Sequence, residues 1–502
     1  MSLAVLSDED IRSILECLDH EEVEELQTTL RCALHEYSTG TQSVDAGLIH
    51  QPDRTSVHSK TTGATTLFMP SHSPAGHGIK VMTVPRSPAD ADPPENRPTG
   101  SVTLYAPNGD PIGFLHAQTL TAFRTALASS ILLTKRATVH TLTVFGAGLQ
   151  AYWHIRLALM LRGSTIRHVY ILNRRFSANA KGILRKFYAV PTEAKRREGW
   201  EQAQFSVLTP GYGEYARLQK EHIRAADVVY CCTPSVEDLF DASILTSHEG
   251  RRKGRLVVAI GSYTPGMREL PRELLLQATK VHAAGHPHFH KHAVEGGVII
   301  VDTLDGVLKE AGEIIDAGLE PRQLVELGEL VMIRKIAKAE EELSLASQSS
   351  TEVNSLADSV DKLDFGSSGS AMSTVFGSDS GSHDATDNGI SNGSINGDGT
   401  KSRSSSRSPS RPNNSSGVSL PFKHHTTHHH GRSSSQDGST TASERHKQQQ
   451  KSRDDHLARW LSTGNVIYKS VGLGLMDLVV GLEVVRLAKE RGLGSHIEGF
   501  SS

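Results

Sequence analysis

Gly146, Gly148 and Ala151, in the run VFGAGLQA, carry the spacing G-x-G-x-x-A directly after an apolar stretch. The first glycine permits a tight turn, the second lets backbone N–H groups approach a pyrophosphate, and the small third residue lets strand and helix close. The helix N-terminus that follows adds partial positive charge. The spacing is informative only between a strand and a helix, with a second strand ending about twenty residues on. Residues 142–145, a helix from Gln150 and residues 169–172 supply that context. Ala147, Leu149 and Gln150 belong to the same turn and are expected against the same dinucleotide. The second strand closes on Asn173, Arg174 and Arg175, where an NAD-binding unit carries an acid for the ribose. An acid repels a 2′-phosphate, whereas guanidinium groups pair with one bidentately. The expected cofactor is therefore NADP(H) in preference to NAD(H).

Other chemistry-bearing clusters promise less. HPHFHKH, His286 to His292, has four histidines but no neighbouring acid or cysteine to complete a metal site, and reads as a solvated loop. A second histidine run, His424 to His430, lies in low-complexity sequence. Cys231 and Cys232 end an apolar strand and read as small buried hydrophobes. No metal is expected.

The elements that position the turn follow from the pattern. Strand-like runs at 142–145, 169–172, 228–232, 256–260 and 298–302 are separated by helical stretches. That alternation predicts an α/β fold with a doubly wound, Rossmann-type parallel sheet over residues 136–343. Before it, an acidic helix (8–37), three strand-like runs, the last a hairpin turning at Asn108-Gly109-Asp110, and a helix over 119–133 predict a smaller α/β domain, residues 1–135. From 344 to 455 the chain turns to Ser, Gly, Asn, Asp, Arg and His, too poor in apolar residues to offset its ordering entropy, and is expected to be a disordered insertion. Residues 456–495 are patterned again, as a strand, a glycine turn and a helix from Asp477 to Gly492, and are expected to complete the first domain.

Composition excludes several function classes. A formal net charge of −3 in 502 residues argues against chain-wide nucleic-acid or membrane-surface binding. Four cysteines cannot frame a disulfide scaffold, and the acidic first residues do not read as a leader, so a cytoplasmic protein without membrane spans is expected.

Six segments in order, LTAFRTALAS, VFGAGLQA, AADVVYCCTPS, GSYTPGMREL, VDTLDGVLKEAGEI and KSVGLGLMDLVVG, resemble the ornithine cyclodeaminase/mu-crystallin family. The resemblance implies a Rossmann domain facing a smaller substrate domain, dimerisation through the latter, and amino-acid or cyclic-imine chemistry at a nicotinamide. It also implies that Thr125 and Thr233 adjoin the cofactor, and that Arg54, Lys80 and Arg124 bind the substrate carboxylate. A guanidinium fork suits that task. Lys80 could also act as acid or base if burial lowers its pKa.

Two departures bear on the reaction. The segment GSYTPGMREL has Tyr263 where ornithine cyclodeaminases have an aspartate, and Leu67 and Phe68 precede Met69-Pro70 where those enzymes place an acid. A phenol is no anionic base near neutral pH. Members resembling mu-crystallin lack that aspartate and pair Asn-Arg with NADPH. The expected function is thus an NADP-dependent reductase of a cyclic imine or related imino acid, working as a homodimer on a small carboxylate-bearing substrate. An ornithine cyclodeaminase-type lyase, an amino-acid dehydrogenase and an NADPH-linked small-molecule binder remain alternatives.

Overall fold

A computed structural model describes residues 2–40, 48–85, 98–280, 296–330 and 457–500. Two sheets organise them. The first contains β1 (Leu3–Leu6), β2 (Thr55–His58), β3 (Thr65–Ser73), β4 (Gly76–Val84), β5 (Thr99–Tyr105) and β6 (Pro111–His116). With β15 (Ser495–Ile497) they lie in the order β15-β1-β6-β5-β4-β3-β2. β5 and β6 form the hairpin expected at Asn108-Gly109-Asp110, and Gly109 takes φ +90°, which suits the turn. Along β4, Gly78, Lys80 and Met82 are buried while Ile79 and Val81 are less so, the period-2 pattern of a sheet covered on one face. The C-terminal helix (Gly474–Arg491) lies over that face: a Cβ on Gly78 would stand 3.3 Å from Leu478.

The second sheet is wholly parallel. In chain order its strands are β7 (Thr141–Phe145), β8 (His168–Leu172), β9 (Gln204–Leu208), β10 (Val228–Cys231) and β11 (Leu256–Ala259), then β12 (Val298–Val301), β13 (Leu324–Glu326) and β14 (Val466–Lys469). They lie in the order β13-β12-β14-β11-β10-β7-β8-β9. Their near-continuous apolar runs are explained by cover on both faces. Leu142, Val144, Val228, Tyr230, Leu256 and Val258 enter one hydrophobic core, whereas Phe145, Val229, Cys231, Val257 and Ala259 enter the other. The first of these cores runs on through helix α3 (Ala117–Leu133) into the seven-stranded lobe, joining the two sheets. The fold class expected from the alternation is the one observed.

Three expectations are corrected. Residues 456–495 do not all complete the first domain: strand β14 inserts between β11 and β12 in the parallel sheet, and only the helix that follows covers the seven-stranded sheet. The physical reason is β14's burial on both faces, which the edge of a one-sided sheet could not supply. The acidic helix 8–37 is two helices, α1 (Asp8–Glu16), opened by a Ser7–Asp10 capping box, and α2 (His20–Gly40). The C-terminal helix begins one turn earlier than Asp477, at Gly474, and stops as expected at Gly492, left-handed at φ +64°. β1, β2, β9, β13 and β15 are additional to the expected strands. The expected insertion (344–455) and both histidine runs lie outside the described residues. Among the described residues, no helix is long and apolar enough to cross a membrane.

Candidate active site

The site lies where the parallel strands end. Gly146, after β7, has φ +101°, and a Cβ there would meet Cys232 O and Thr233 Cγ2 at 3.0 Å. Gly148 caps helix α4 (Leu149–Arg162) with no side-chain bond, and a Cβ on it would meet nothing within 4 Å. An open helix N-terminus with exposed backbone donors suits a phosphate. Gln150 Oε1 is buried with no partner among the described residues, which a bound ligand would supply. β7 and β10 are adjacent, and the chain departs from them in opposite directions across the sheet, so the turn stands at the topological switch point. These features fit a dinucleotide.

Asn173 follows β8; its side-chain amide donates to Arg175 O at 2.7 Å, fixing the loop in which Arg174 and Arg175 are exposed. Thr233 follows β10. Its N–H and hydroxyl donate to Glu269 Oε1 at 2.8 and 3.3 Å, and the N–H groups of Gly261 and Ser262, after β11, donate to Glu269 Oε2 at 2.7 and 3.2 Å. One buried carboxylate therefore ties two cleft loops together, and burial raises its pKa to about 7. Thr125 is buried on α3, its hydroxyl donating to Thr121 O at 2.8 Å. Ala147 and Leu149 complete the turn.

The expected substrate residues come together around the 470–472 turn after β14. Lys80 Nζ donates to Asp477 Oδ1 and Oδ2 at 3.1 and 3.2 Å, and Arg124 Nε donates to Asp477 Oδ1 at 3.3 Å. The Lys80 and Asp477 side chains are 3% and 1% exposed. Asp477 stands in the first turn of its helix, where the dipole favours an anion. Arg124 also abuts Gly472: a Cβ there would stand 2.9 Å from its Nη2, and φ +87° separately requires glycine. Arg54 donates to Tyr263 O at 2.9 Å and Val471 O at 3.4 Å, and pairs with Glu310. Asp302 holds the turn from below, accepting from Ser470 Oγ at 2.7 Å, Val471 N at 3.0 Å and Gly472 N at 2.7 Å.

Electrostatics follow from burial. Burial lowers the Lys80 ammonium to about 8; Asp477 opposes the shift, and Arg124 and Arg54 add to it. Burial raises the Tyr263 phenol above its ordinary value, with Arg54 opposing, so the group that replaces the family aspartate is neutral. Burial likewise raises the Cys231 and Cys232 thiols, which argues against reactive cysteines. Among the described residues, no group of three or more His, Cys, Asp or Glu could hold a metal.

Several site residues escaped sequence reasoning. Asp477, Glu269, Ser262 and Lys469 act mainly through partners far away in the chain. Lys469 Nζ, fully buried, donates to Ser262 O and Oγ at 2.5 Å and pairs with Glu313 at 3.1 Å, fixing the loop that carries Tyr263. The one available signal was an acid or lysine inside an otherwise apolar run, as in VIYK and GLMDLVV.

Comparison with known proteins agrees with this geometry. The model of the ornithine cyclodeaminase/mu-crystallin family matches residues 8–203. An uncharacterized protein of Saccharomyces cerevisiae is 27% identical over 356 residues, 66% of this chain and 86% of that one. A Delta(1)-pyrroline-2-carboxylate reductase of Bacillus cereus is 26% identical over 308 residues, 58% of this chain and 78% of that one. Among solved structures, the Thermococcus litoralis Delta(1)-pyrroline-2-carboxylate reductase in complex with NADH and L-proline superposes with a TM-score of 0.55 at 15% identity, covering 98% of this chain and 99% of that one. At that identity the likeness concerns the fold alone. With the family model over residues 8–203 and relatives matched over more than half the chain, this chain is similar to members of the ornithine cyclodeaminase/mu-crystallin family.

Proposed function

We propose that the chain is an NADP(H)-dependent reductase of a small cyclic imine bearing a carboxylate. One observation carries the reading: Arg54 and Arg124 meet at the 470–472 turn, Lys80 shares Asp477 with Arg124, and that turn adjoins the dinucleotide loops. The adjacency is continuous. A Cβ on Gly146 would stand 3.0 Å from Cys232 O and Thr233 Cγ2, one on Gly261 would stand 2.1 Å from Thr233 O, and Arg54 bonds both Tyr263 O and Val471 O.

Gly146, Ala147, Gly148, Leu149, Gln150 and Thr233 would hold a nicotinamide dinucleotide, which when bound would supply hydride to the C=N carbon. Arg54 and Arg124 orient the substrate carboxylate, and this positioning lowers the barrier by removing the entropic cost of encounter. The C=N electron pair goes to nitrogen, which takes a proton from the Lys80 ammonium. An ammonium with a pKa of about 8 is mostly protonated at neutral pH yet gives up its proton readily. Asp477 then stabilises whichever cation remains. Arg174 and Arg175 favour the 2′-phosphorylated cofactor, whereas the Thermococcus litoralis relative was solved with NADH. A neutral Tyr263 is not an anionic base, which favours reduction over cyclodeamination of ornithine.

We also read the chain as a homodimer. The face of the seven-stranded sheet opposite the C-terminal helix presents exposed Val57, Phe68 and Phe114, an apolar surface that a second copy would cover.

The test is a panel of cyclic imino acids and L-ornithine, assayed in parallel for NADPH and NADH oxidation and for ammonia release. Reductase activity on an imino acid, faster with NADPH, supports the proposal. Ammonia from ornithine without net NADPH consumption, or no turnover of any imino acid, overturns it.

A further inference from the structure

We propose that Glu310 is the carboxylate that meets the substrate nitrogen, releasing Arg54 to the substrate carboxylate as it does so; this rests on the imine-reductase reading above. Three carboxylates stand near the cations. Asp477 is buried and already shared by Lys80 and Arg124. Asp302 is buried and committed to one hydroxyl and the two N–H groups of the turn it holds. Glu310 differs: its side chain is 23% exposed, and among the described residues its polar contact is with Arg54.

The position of Glu310 makes it free to change partner. It ends the helix Leu304–Glu310, where the dipole disfavours an anion, so Arg54 and not its own helix stabilises it. Burial raises its pKa and Arg54 opposes the shift. Once a substrate carboxylate takes Arg54, the Glu310 carboxylate needs a new cation, and a protonated imine or amine is one. The exchange trades one ion pair for another and buries no unpaired charge. With Tyr263 neutral, Glu310 is the one of these three carboxylates whose side chain is partly exposed.

Two probes separate the nitrogen from the carboxylate. L-proline carries a cationic nitrogen, whereas pyrrole-2-carboxylate has the same ring and carboxylate with an uncharged N–H. Both are titrated calorimetrically into the full-length chain saturated with NADPH, against which neither is reduced. In Glu310→Gln, L-proline is expected to bind about ten- to hundredfold more weakly, the loss of one charge-assisted contact. Pyrrole-2-carboxylate should bind equally or more tightly, because Arg54 has lost its competitor. Glu310→Asp should recover most of the L-proline affinity. Equal weakening of both probes, or unchanged L-proline binding, overturns the role of Glu310 while leaving the reductase reading intact. A wild-type chain that binds neither probe overturns both.

Discussion

Replacing Asp477 with asparagine removes the one negative charge that two buried cations share, and its cost can be worked from the site. Lys80 responds by losing its proton. Holding a lysine neutral at pH 7 costs about 1.4 kcal/mol for each unit between pH 7 and its unfolded value near 10.5, about 4.8 kcal/mol in all. Burial in the native site, which lowers the pKa to about 8, already costs about 3.4 kcal/mol of that, so the added penalty is about 1.4 kcal/mol. Arg124 cannot deprotonate, and loses charge-assisted bonds worth about 1.5–3 kcal/mol. The total, about 3–4 kcal/mol, falls in the range for breaking a buried ion pair. The sign with pH is fixed. A lysine whose folded pKa is depressed gains stability as pH rises from about 8 to 10.5, so at pH 9 the wild-type Lys80 is already largely neutral and its share of the penalty vanishes. Urea unfolding followed by tryptophan fluorescence should show a loss of about 3–4 kcal/mol at pH 7, smaller by about 1.4 kcal/mol at pH 9. A loss below about 1 kcal/mol, or the same loss at both pH values, would refute the shared-carboxylate picture.

Four further outcomes follow from other parts of the structure. Gly148→Ala should change stability by less than about 1 kcal/mol, since its Cβ meets open space at a helix cap, yet weaken dinucleotide binding at least tenfold. Gly146→Ala, strained at φ +101° and crowded by Cys232 O, should by contrast destabilise the fold by about 1–3 kcal/mol in the same unfolding assay. Replacing Arg174 and Arg175 with alanine should raise the Kd for NADPH about ten- to hundredfold and leave NADH binding within about twofold, as read by fluorescence titration. His154 is held neutral by burial, which pushes its pKa down to about 4. Its contribution is complete above pH 6.5 and lost as pH falls through 4, so His154→Gln should flatten a decline of about 3 kcal/mol measured between those values.

What could be read from the chain was what is local. The phosphate turn, the hairpin at Gly109 and the stop at Gly492 each depend on a few consecutive residues whose backbone demands are visible in their types. Arg54, Lys80 and Arg124 were legible through motif context. Asp477, the common partner of Lys80 and Arg124, was not, because it meets Lys80 only after the C-terminal helix folds back across 397 positions of sequence. The same distance hid the place of β14. Sequence neighbourhood groups a strand that follows a long polar stretch with the helix after it; two-sided burial puts it instead at the centre of the parallel sheet. Edge strands such as β9 were missed for the opposite reason, since their half-exposed residues weaken the apolar signal.

The most direct measurement is a crystal structure of the chain with NADPH and pyrrole-2-carboxylate bound together. The carboxylate is expected within hydrogen-bond reach of Arg54 and Arg124 beside the 470–472 turn, with the 2′-phosphate against Arg174 or Arg175. A carboxylate bound elsewhere, with Arg54 still on Glu310 and the 2′-phosphate clear of both arginines, would contradict the proposed site.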